Sequence, residues 1–378
     1  MVRKLLLFFL VVLVLANILL VVTGKGWMYK AVYITYLKGY DSSYIDDFVH
    51  FPSNEIAAGK HQEWKIAKDY NLKALPKKLI DLNSDLETVA FLVIKNDSIK
   101  SEYYWQGYSS DTMSNSFSMA KSYIGALIGV AKKEGVIKSL DQSVCDFIPE
   151  FCENNKEQIT IKHLLNMQSG LDWDESYHNP LSQMATAYYG KSLKKLIVNL
   201  DLASVPGKKF EYHSSSTQIL GYILEKATGV SVNEYASEKL WKPIGSKHAA
   251  LWSTDKKNGD EKTFCCINSN ARDFARLGKL YMQKGRWDDA QLIDSNYVVE
   301  SVYLENLAPY SYHFWITERK GNHVFYARGL WGQYVISIPE KDMIIVRLGK
   351  NYGKILKNKH REELYLYIDA ALEMYTKI

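Results

Sequence analysis

Strand-like runs at both ends of the main part of the chain most constrain its fold. Residues 88–105 (TVAFLVIKNDSIKSEYYW) form two β-rich runs joined at Asn96-Asp97, which is a turn signal for a β-hairpin. Toward the C-terminus further short β-rich runs follow, separated by glycine, proline and charged turns: HFWITERK, HVFYARGLWG, QYVISIP and DMIIVRLG. Strands from both ends can share one antiparallel sheet when helices cover it. The sequence therefore predicts an α+β architecture with a sheet, a mostly helical second lobe and a cleft between them.

Helical patterns fill most of the sequence between these strands. Each pattern has apolar residues at helical spacing, and several have a start or stop signal. The predicted helices are 160–169, stopped by Gly170; 215–228, stopped by Gly229; a helix opened by a capping box at Ser231 and Glu234; the amphipathic NARDFARLGKLYMQ; and the closing REELYLYIDAALEMY.

The N-terminus carries a long apolar run. Arg3 and Lys4 precede it, and residues 5–22 are broken only by Asn17 as a polar residue. At about 1.5 Å per residue, this stretch covers most of a bilayer core. A cleaved signal peptide is the alternative, although its apolar region is usually about 7 to 15 residues long. We expect an uncleaved anchor with its N-terminus in the cytoplasm and the rest of the chain on the extracytoplasmic side.

These patterns divide the chain into three parts. We expect an anchor over residues 1–25, an extension that packs on the main domain over 26–85, and the main domain over 86–378. The composition, 47% hydrophobic and 24% charged, is that of a folded protein. The net charge of +5 is spread along the chain and gives no nucleic-acid footprint.

The four cysteines are too few for a disulfide scaffold. Cys145 and Cys152 are the pair expected to close a short loop if the domain is exported, and free buried thiols are the alternative. Neither the cysteines nor the histidines have zinc-site spacing. We expect no metal and no cofactor.

A serine and a lysine stand three residues apart at the head of an apolar helix pattern. In FSMAKSYIGALIGVA, Ser118 and Lys121 should lie on one side of the first turn. Serine needs a proton acceptor, and a lysine serves as one only where burial or a neighbouring charge lowers its pKa. Alone, the pair also fits a helix cap beside a solvated lysine.

A second motif favours a catalytic role for this pair over the helix-cap alternative. Tyr212-His213-Ser214 follows a Pro-Gly turn and precedes a helix. Together with Ser118-Met119-Ala120-Lys121, it makes the sequence resemble the serine β-lactamase-like and penicillin-binding-protein-like hydrolases, whose motifs are Ser-x-x-Lys, Tyr-x-Asn or Tyr-x-Ser, and a Lys-Thr-Gly-like strand. The resemblance runs from about residue 88 to 350. It implies the β-lactamase/transpeptidase-like fold, with an antiparallel sheet flanked by N- and C-terminal helices.

The third motif departs from the β-lactamase pattern. Ala327-Arg328-Gly329 stands where Lys-Thr-Gly would be, so the lysine that helps to bind a substrate carboxylate is missing. The run from Gly329 to Gln333 instead resembles the esterase and 6-aminohexanoate-oligomer hydrolase branch. Arg328 either replaces the missing cation or faces solvent.

The resemblance also implies the site residues and their roles. Ser118 would attack the carbonyl, Lys121 would accept its proton, and Tyr212 would pass a proton to the leaving group. The residues expected to bind the oxyanion or the substrate, or to complete the hydrogen-bond network, are Leu330, Gly329, Ser214, Arg328 and Trp331. Ser214 could equally start the next helix as a cap. Trp173, Asp174 and Glu175 either line the cleft or form a surface loop.

The predicted function is a membrane-anchored serine hydrolase acting on a small-molecule ester or amide. One alternative is a catalytically silent binding module for a peptide or cell-envelope ligand, although such a module has no need for Ser118, Lys121 and Tyr212 together. A D,D-peptidase or β-lactamase is a further alternative, which the missing lysine weakens.

Overall fold

A long, mostly antiparallel sheet forms the centre of the molecule in the computed structural model, which describes residues 1–303 and 308–376. Its eight strands, labelled in chain order over the whole molecule, are β2 (Lys65–Ile66), β3 (Thr88–Lys95), β4 (Ser98–Tyr104), β10 (Tyr310–Ser311), β11 (Phe314–Arg319), β12 (Asn322–Gly329), β13 (Gln333–Ile338) and β14 (Met343–Gly349). Their order is β10-β11-β12-β13-β14-β3-β4-β2. The N-terminal hairpin therefore pairs with the last C-terminal strand, as the sequence predicts.

The hairpin turn and the burial of β3 follow from local sequence. Asn96 and Asp97 both have positive φ, 49° and 57°, which is the conformation that two-residue hairpin loops need. The run from Val89 to Ile94 is apolar at every position because both faces of this central strand are covered.

The helices lie on both faces of this sheet and in a second lobe. Over the described residues they are α1 (Val2–Val22), α2 (Trp27–Ile34), α3 (Lys77–Asp85), α4 (Ala120–Lys133), α5 (Ile161–Leu165), α6 (Gln183–Tyr189), α7 (Leu193–Val198), α8 (Ser214–Thr228), α9 (Val232–Ala236), α10 (Ala271–Met282), α11 (Ser295–Val302) and α12 (Glu362–Tyr375). Helix α10 packs on one face of the sheet, and α3 and α12 cover the other. Helix α4 packs against α8 and reaches β12, so its first turn lies where the lobes meet.

The middle of the chain is less helical than its sequence pattern predicts. Helices α5, α6 and α7 have only five to seven residues each, and much of 134–213 is irregular. The middle also contributes β6 (Ala250–Ser253) and β7 (Ile267–Ser269), which join β1 (Ser53–Ile56) and β5 (Ser114–Asn115) in a second sheet of order β1-β6-β7-β5. A small hairpin of β8 (Arg286–Trp287) and β9 (Ala290–Gln291) follows α10.

The segment between α1 and α3 packs on the rest of the chain. Its strand β1 pairs with β6, and its strand β2 pairs in parallel with β4, so it contributes to both sheets. Helix α1 has a mean hydropathy of 3.3 over its most apolar window and is long and apolar enough to cross a membrane.

All four cysteines are paired. Cys145 bonds to Cys152, as one of the two sequence-based alternatives has it, and the adjacent Cys265 and Cys266 bond to each other. The second bond is one that the sequence analysis did not consider.

Candidate active site

A tight turn at the start of α4 presents Ser118. Residues Phe117–Met119 form a single 3₁₀ turn that leads directly into the helix. Phe117 has a φ of 45°, and its amide donates a 2.8 Å hydrogen bond to Asn115 Oδ1, which holds this unusual conformation. The Ser118 side chain consequently lines a cavity between the lobes instead of capping a solvated helix.

Lys121 lies one helical turn later and is almost fully buried, with 1% of its surface exposed. Its Nζ is 3.3 Å from Ser118 Oγ, 3.0 Å from Ser214 Oγ and 2.7 Å from the Phe264 carbonyl oxygen. Burial lowers the pKa of Lys121 from 10.5 to about 8, although the negative charge of Glu175 acts in the opposite direction. Lys121 therefore loses its proton more readily than an exposed lysine does.

Tyr212 lies on the other side of Ser118. Its hydroxyl is close enough to the Ser118 side chain for that group to lower its pKa slightly, and the Lys121 Nζ lies 5.2 Å from its ring centroid. Trp315 stacks on the tyrosine ring at 5.8 Å, and Tyr310 meets it edge-on at 5.7 Å. Desolvation raises the pKa of Tyr212, and Glu175 raises it further, so its hydroxyl keeps its proton at neutral pH.

Ser214 joins this group to a carboxylate. It is the first residue of α8, and its hydroxyl, 3.0 Å from Lys121 Nζ, donates a 2.7 Å hydrogen bond to Glu175 Oε1. The Ser214 amide donates another 2.7 Å bond to Glu175 Oε2. Ser214 thus belongs to the network and is the first residue of the helix, but it is not the cap: His213 holds that position, and Glu175 accepts the Ser214 amide.

Glu175 is a site residue that the sequence analysis did not select. Besides its two bonds from Ser214, it accepts 2.6 Å hydrogen bonds from Trp173 Nε1 and from the Tyr177 hydroxyl. Four donors therefore hold one carboxylate against the Ser118–Lys121 pair. Of the three residues expected either to line the cleft or to form a surface loop, Glu175 contacts the network through Ser214, Trp173 is buried, and Asp174 is exposed.

The end of β12 comes close to the Ser118 turn at Gly329. A Cβ atom on this residue would lie 2.1 Å from the Ser116 carbonyl oxygen, so only glycine allows this approach. The next residue, Leu330, lines the same cavity as Ser118. The backbone at 329–330 is thereby brought to the side of the cavity that faces the nucleophile.

Arg328 and Trp331 lie next to this group but make other contacts. The Arg328 guanidinium stacks on the Trp315 ring, 3.6 Å from its centroid, and donates a 3.0 Å bond to the Lys359 carbonyl. Trp331 stacks on Tyr352 and donates a 2.6 Å bond from its indole to the Ser43 carbonyl. The substrate-binding roles expected for both residues stay predictions.

The cavity at Ser118 is narrow, with a volume of about 40 Å³. Its lining is mostly apolar and aromatic and comes from five parts of the chain: Ser42, Ser43, Phe117, Ser118, Tyr177, Met184, Ala185, Tyr188, Tyr189, Phe264, Cys265 and Leu330. Ser42 and Ser43 are themselves buried, so the segment after α2 covers one side of this cavity.

Comparison with known proteins identifies the family. The family model described as Beta-lactamase matches residues 73–363. The 6-aminohexanoate-dimer hydrolase of Paenarthrobacter ureafaciens is 26% identical over 311 residues, which cover 73% of this chain and 77% of the relative.

Solved structures share the fold. A Bacillus anthracis protein provisionally assigned as a 6-aminohexanoate-dimer hydrolase matches with a TM-score of 0.74 and 24% identity, over 91% of this chain and 94% of that one. A family VIII carboxylesterase matches with a TM-score of 0.62 and 17% identity, over 82% of this chain and 99% of that one. With its Ser-x-x-Lys helix between the lobes and a family match over most of its length, the chain belongs to the beta-lactamase family, within the serine hydrolase superfamily.

Proposed function

We propose that this protein cleaves an ester or amide bond through an acyl-enzyme formed on Ser118. The observation that carries the proposal is the position of Lys121 Nζ, 3.3 Å from Ser118 Oγ and almost completely removed from water. A nucleophile beside a desolvated amine is the arrangement that acyl transfer needs.

In acylation, the neutral Lys121 amine accepts the Ser118 proton while Oγ attacks the substrate carbonyl carbon. The carbonyl oxygen becomes an oxyanion, and the amides of Ser118 and Leu330 are the proposed donors to it. The contact that only glycine permits at Gly329 supports this assignment because it brings the strand end against the Ser118 turn.

Breakdown of the tetrahedral intermediate requires a proton on the leaving group. Tyr212 lies beside the Ser118–Lys121 pair, and its raised pKa keeps its proton in place until the leaving group becomes a stronger base. We assign it as the relay that gives a proton to the leaving alcohol or amine and is reprotonated from Lys121. In deacylation Lys121 and Tyr212 relay a proton from water to Ser118 Oγ while the water oxygen attacks the acyl carbon; the bond from this carbon to Oγ breaks, the acid leaves and Ser118 is restored.

The substrate class follows from what replaces the third motif. Ala327 is buried in β12 where a lysine would otherwise bind a substrate carboxylate, which favours esters and amides over β-lactams. The names of the 6-aminohexanoate-dimer hydrolase and the carboxylesterase are those of an amidase and an esterase, in line with this choice.

We further propose that α1 is an uncleaved membrane anchor and that the catalytic domain lies on the extracytoplasmic side. Arg3 and Lys4 at the N-terminal end of α1 favour this orientation. The two disulfides support it because such bonds persist in oxidising compartments.

The test is trapping of the acyl-enzyme. Full-length protein in detergent should form an intact-mass adduct with an activated ester, and the added mass should equal the acyl group and map to Ser118. The Lys121→Ala variant should form the adduct at a greatly reduced rate. Lys133 is an exposed lysine at the far end of the same helix, and the Lys133→Ala variant should form the adduct normally. An adduct on another residue, or one that persists in Ser118→Ala, would contradict the proposal.

A further inference from the structure

Residues 41–51, between α2 and β1, carry a completely buried aspartate. Asp47 is 0% exposed, and a carboxylate in the interior is costly unless hydrogen-bond donors reach it. Its two oxygens lie 3.0 and 2.9 Å from the Tyr188 hydroxyl, and Oδ1 lies 3.4 Å from Asn115 Nδ2. Both partners belong to the active-site region, since Tyr188 lines the Ser118 cavity and Asn115 comes three residues before the nucleophile.

Asn115 links Asp47 to the Ser118 turn. It is 1% exposed and uses both ends of its side-chain amide. Its Oδ1 accepts the 2.8 Å bond from the Phe117 amide that holds the positive φ of that residue. Its Nδ2 donates to the Tyr188 hydroxyl at 3.2 Å and to Asp47 Oδ1 at 3.4 Å. Because the side-chain amide accepts only at its oxygen, the acceptors at Asp47 and Tyr188 fix which end of it faces Phe117.

The main chain makes the same connection. The Asn115 amide donates a 2.9 Å hydrogen bond to the Ile45 carbonyl, and the Ser116 amide donates a 2.8 Å bond to the Ile267 carbonyl of β7. The residues that lead into the Ser118 turn are therefore held both by residues 41–51 and by β7.

Residues 41–51 also contact the segment that holds Lys121. The Phe51 ring centroid lies 3.7 Å from Lys262 Nζ, and Lys262 is itself 1% exposed. Two residues later, the Phe264 carbonyl accepts the 2.7 Å bond from Lys121 Nζ. One segment of the extension thus contacts both the chain that carries the nucleophile and the chain that holds its base.

We propose that Asp47 is a positioning residue for acylation: by orienting Asn115, it holds the turn that presents Ser118 to the substrate. The inference rests on the proposed function and adds a residue to it. Asp47 contacts no reacting atom, so its loss should lower the rate of the chemical step and leave substrate binding almost unchanged. A displacement of about 1 Å in an active site can lower that rate about 10²-fold.

The test compares two variants whose side chains have the same number and branching of heavy atoms. Asp47→Asn keeps an oxygen acceptor and Asp47→Leu does not, whereas both remove the charge, so their difference isolates the acceptor. Full-length protein is first labelled to completion with a fluorophosphonate, which counts active Ser118. The burst of p-nitrophenol from p-nitrophenyl butyrate then gives the acylation rate constant and the substrate Kd. We expect Asp47→Leu to lower the rate constant about tenfold or more at a nearly unchanged Kd, and Asp47→Asn to restore most of it.

A double variant tests the route through Asn115. Asn115→Ala removes the acceptor of the Phe117 amide and should slow acylation at least as much as Asp47→Leu. The two changes combined should cost little more than Asn115→Ala alone, because residues that act through one another are not additive. Asp41→Leu, at an exposed aspartate of the same segment, should keep the wild-type rate. If Asp47→Leu does not fold, Tyr188→Phe, which removes the hydroxyl bonded to both side chains, replaces it.

The outcomes separate the two proposals. Wild-type protein without a fluorophosphonate adduct at Ser118 contradicts the proposed function itself. Normal labelling of the wild type, together with an Asp47→Leu acylation rate within about threefold of it, overturns the positioning role even if the Tm falls. Equal losses in Asp47→Leu and Asp47→Asn overturn it as well, since the acceptor would then not matter. Additive losses in the double variant would overturn the route through Asn115.

Discussion

The charge of Glu175 should set the pH at which Lys121 becomes an effective base. Ser214 Oγ lies 3.0 Å from Lys121 Nζ and 2.7 Å from Glu175 Oε1, so the two charges are within about 6 Å of each other. At that distance and an effective dielectric constant of about 20, their attraction is about 3 kcal/mol, or about two pKa units. Since Glu175 raises the pKa of Lys121, Glu175→Gln should lower it below about 8.

The assay is the second-order rate of fluorophosphonate labelling at Ser118 as a function of pH. The deprotonated amine is the base, so the wild-type rate should rise with pH and be half-maximal near pH 8. Glu175→Gln should move this midpoint down by one to two pH units, even if the maximal rate falls because Trp173 and Ser214 lose an acceptor. Asp174→Asn, the exposed neighbour, should leave the midpoint where it is. A Glu175→Gln midpoint that stays within about 0.3 pH units of the wild type, or that moves upward, would show that the Glu175 charge does not control the Lys121 pKa.

Three further predictions concern single residues. Gly329→Ala would place a Cβ 2.1 Å from the Ser116 carbonyl, so it should displace the strand end and lower kcat about 10²- to 10³-fold in steady-state assays. An unchanged kcat would mean that the Leu330 amide is not an oxyanion donor. Tyr212→Phe keeps the aromatic packing but removes the relay, so kcat should fall about 10²-fold or more with little change in Tm; a fall in Tm alone would make the tyrosine structural. Gly170→Ala combines a φ of 72° with a Cβ 2.3 Å from the Ser204 carbonyl, so it should lower the free energy of unfolding by about 2 kcal/mol. Urea unfolding measures this change, and a decrease below about 0.5 kcal/mol would contradict the prediction.

The hairpin and the C-terminal strands could be predicted because their signals are local. Asn96 and Asp97 adopt the left-handed conformations that hairpin loops require, and the last four long strands coincide with the β-rich runs. Helix α9 likewise begins at the capping box of Ser231 and Glu234. The four-stranded sheet could not be predicted in this way, since β1 pairs with β6 across some 200 residues and each strand is very short.

The site residues also divide into those with a local sequence signal, which were predicted, and one that depends on a long-range contact, which was missed. Ser118 and Lys121 are one helical turn apart, so sequence spacing alone brings them together. Glu175 reaches them only because an irregular segment folds back on α8. In the structure Trp173 and Tyr177 both donate hydrogen bonds to Glu175, whereas Asp174 is exposed, so every second residue of this segment faces the same side. This spacing is the one local signal that favours Glu175.

The segment after α2, which covers one side of the Ser118 cavity, could not be predicted from the sequence either. Ser42 and Ser43 lie in a stretch with weak periodicity but are buried, and the Trp331 indole donates a hydrogen bond to the Ser43 carbonyl from almost 300 residues away. Contacts of this kind follow from the assembled fold and leave no pattern in a single sequence.

The most direct test of the central claim is intact-mass analysis of the full-length protein after reaction with a fluorophosphonate, with Ser118→Ala and Lys121→Ala as controls. The account predicts a single adduct that maps to Ser118, is absent from Ser118→Ala and forms at a greatly reduced rate in Lys121→Ala. A well-folded wild-type protein that takes no label at Ser118 and hydrolyses no activated ester would contradict the acyl-enzyme mechanism and favour a binding role for the cleft.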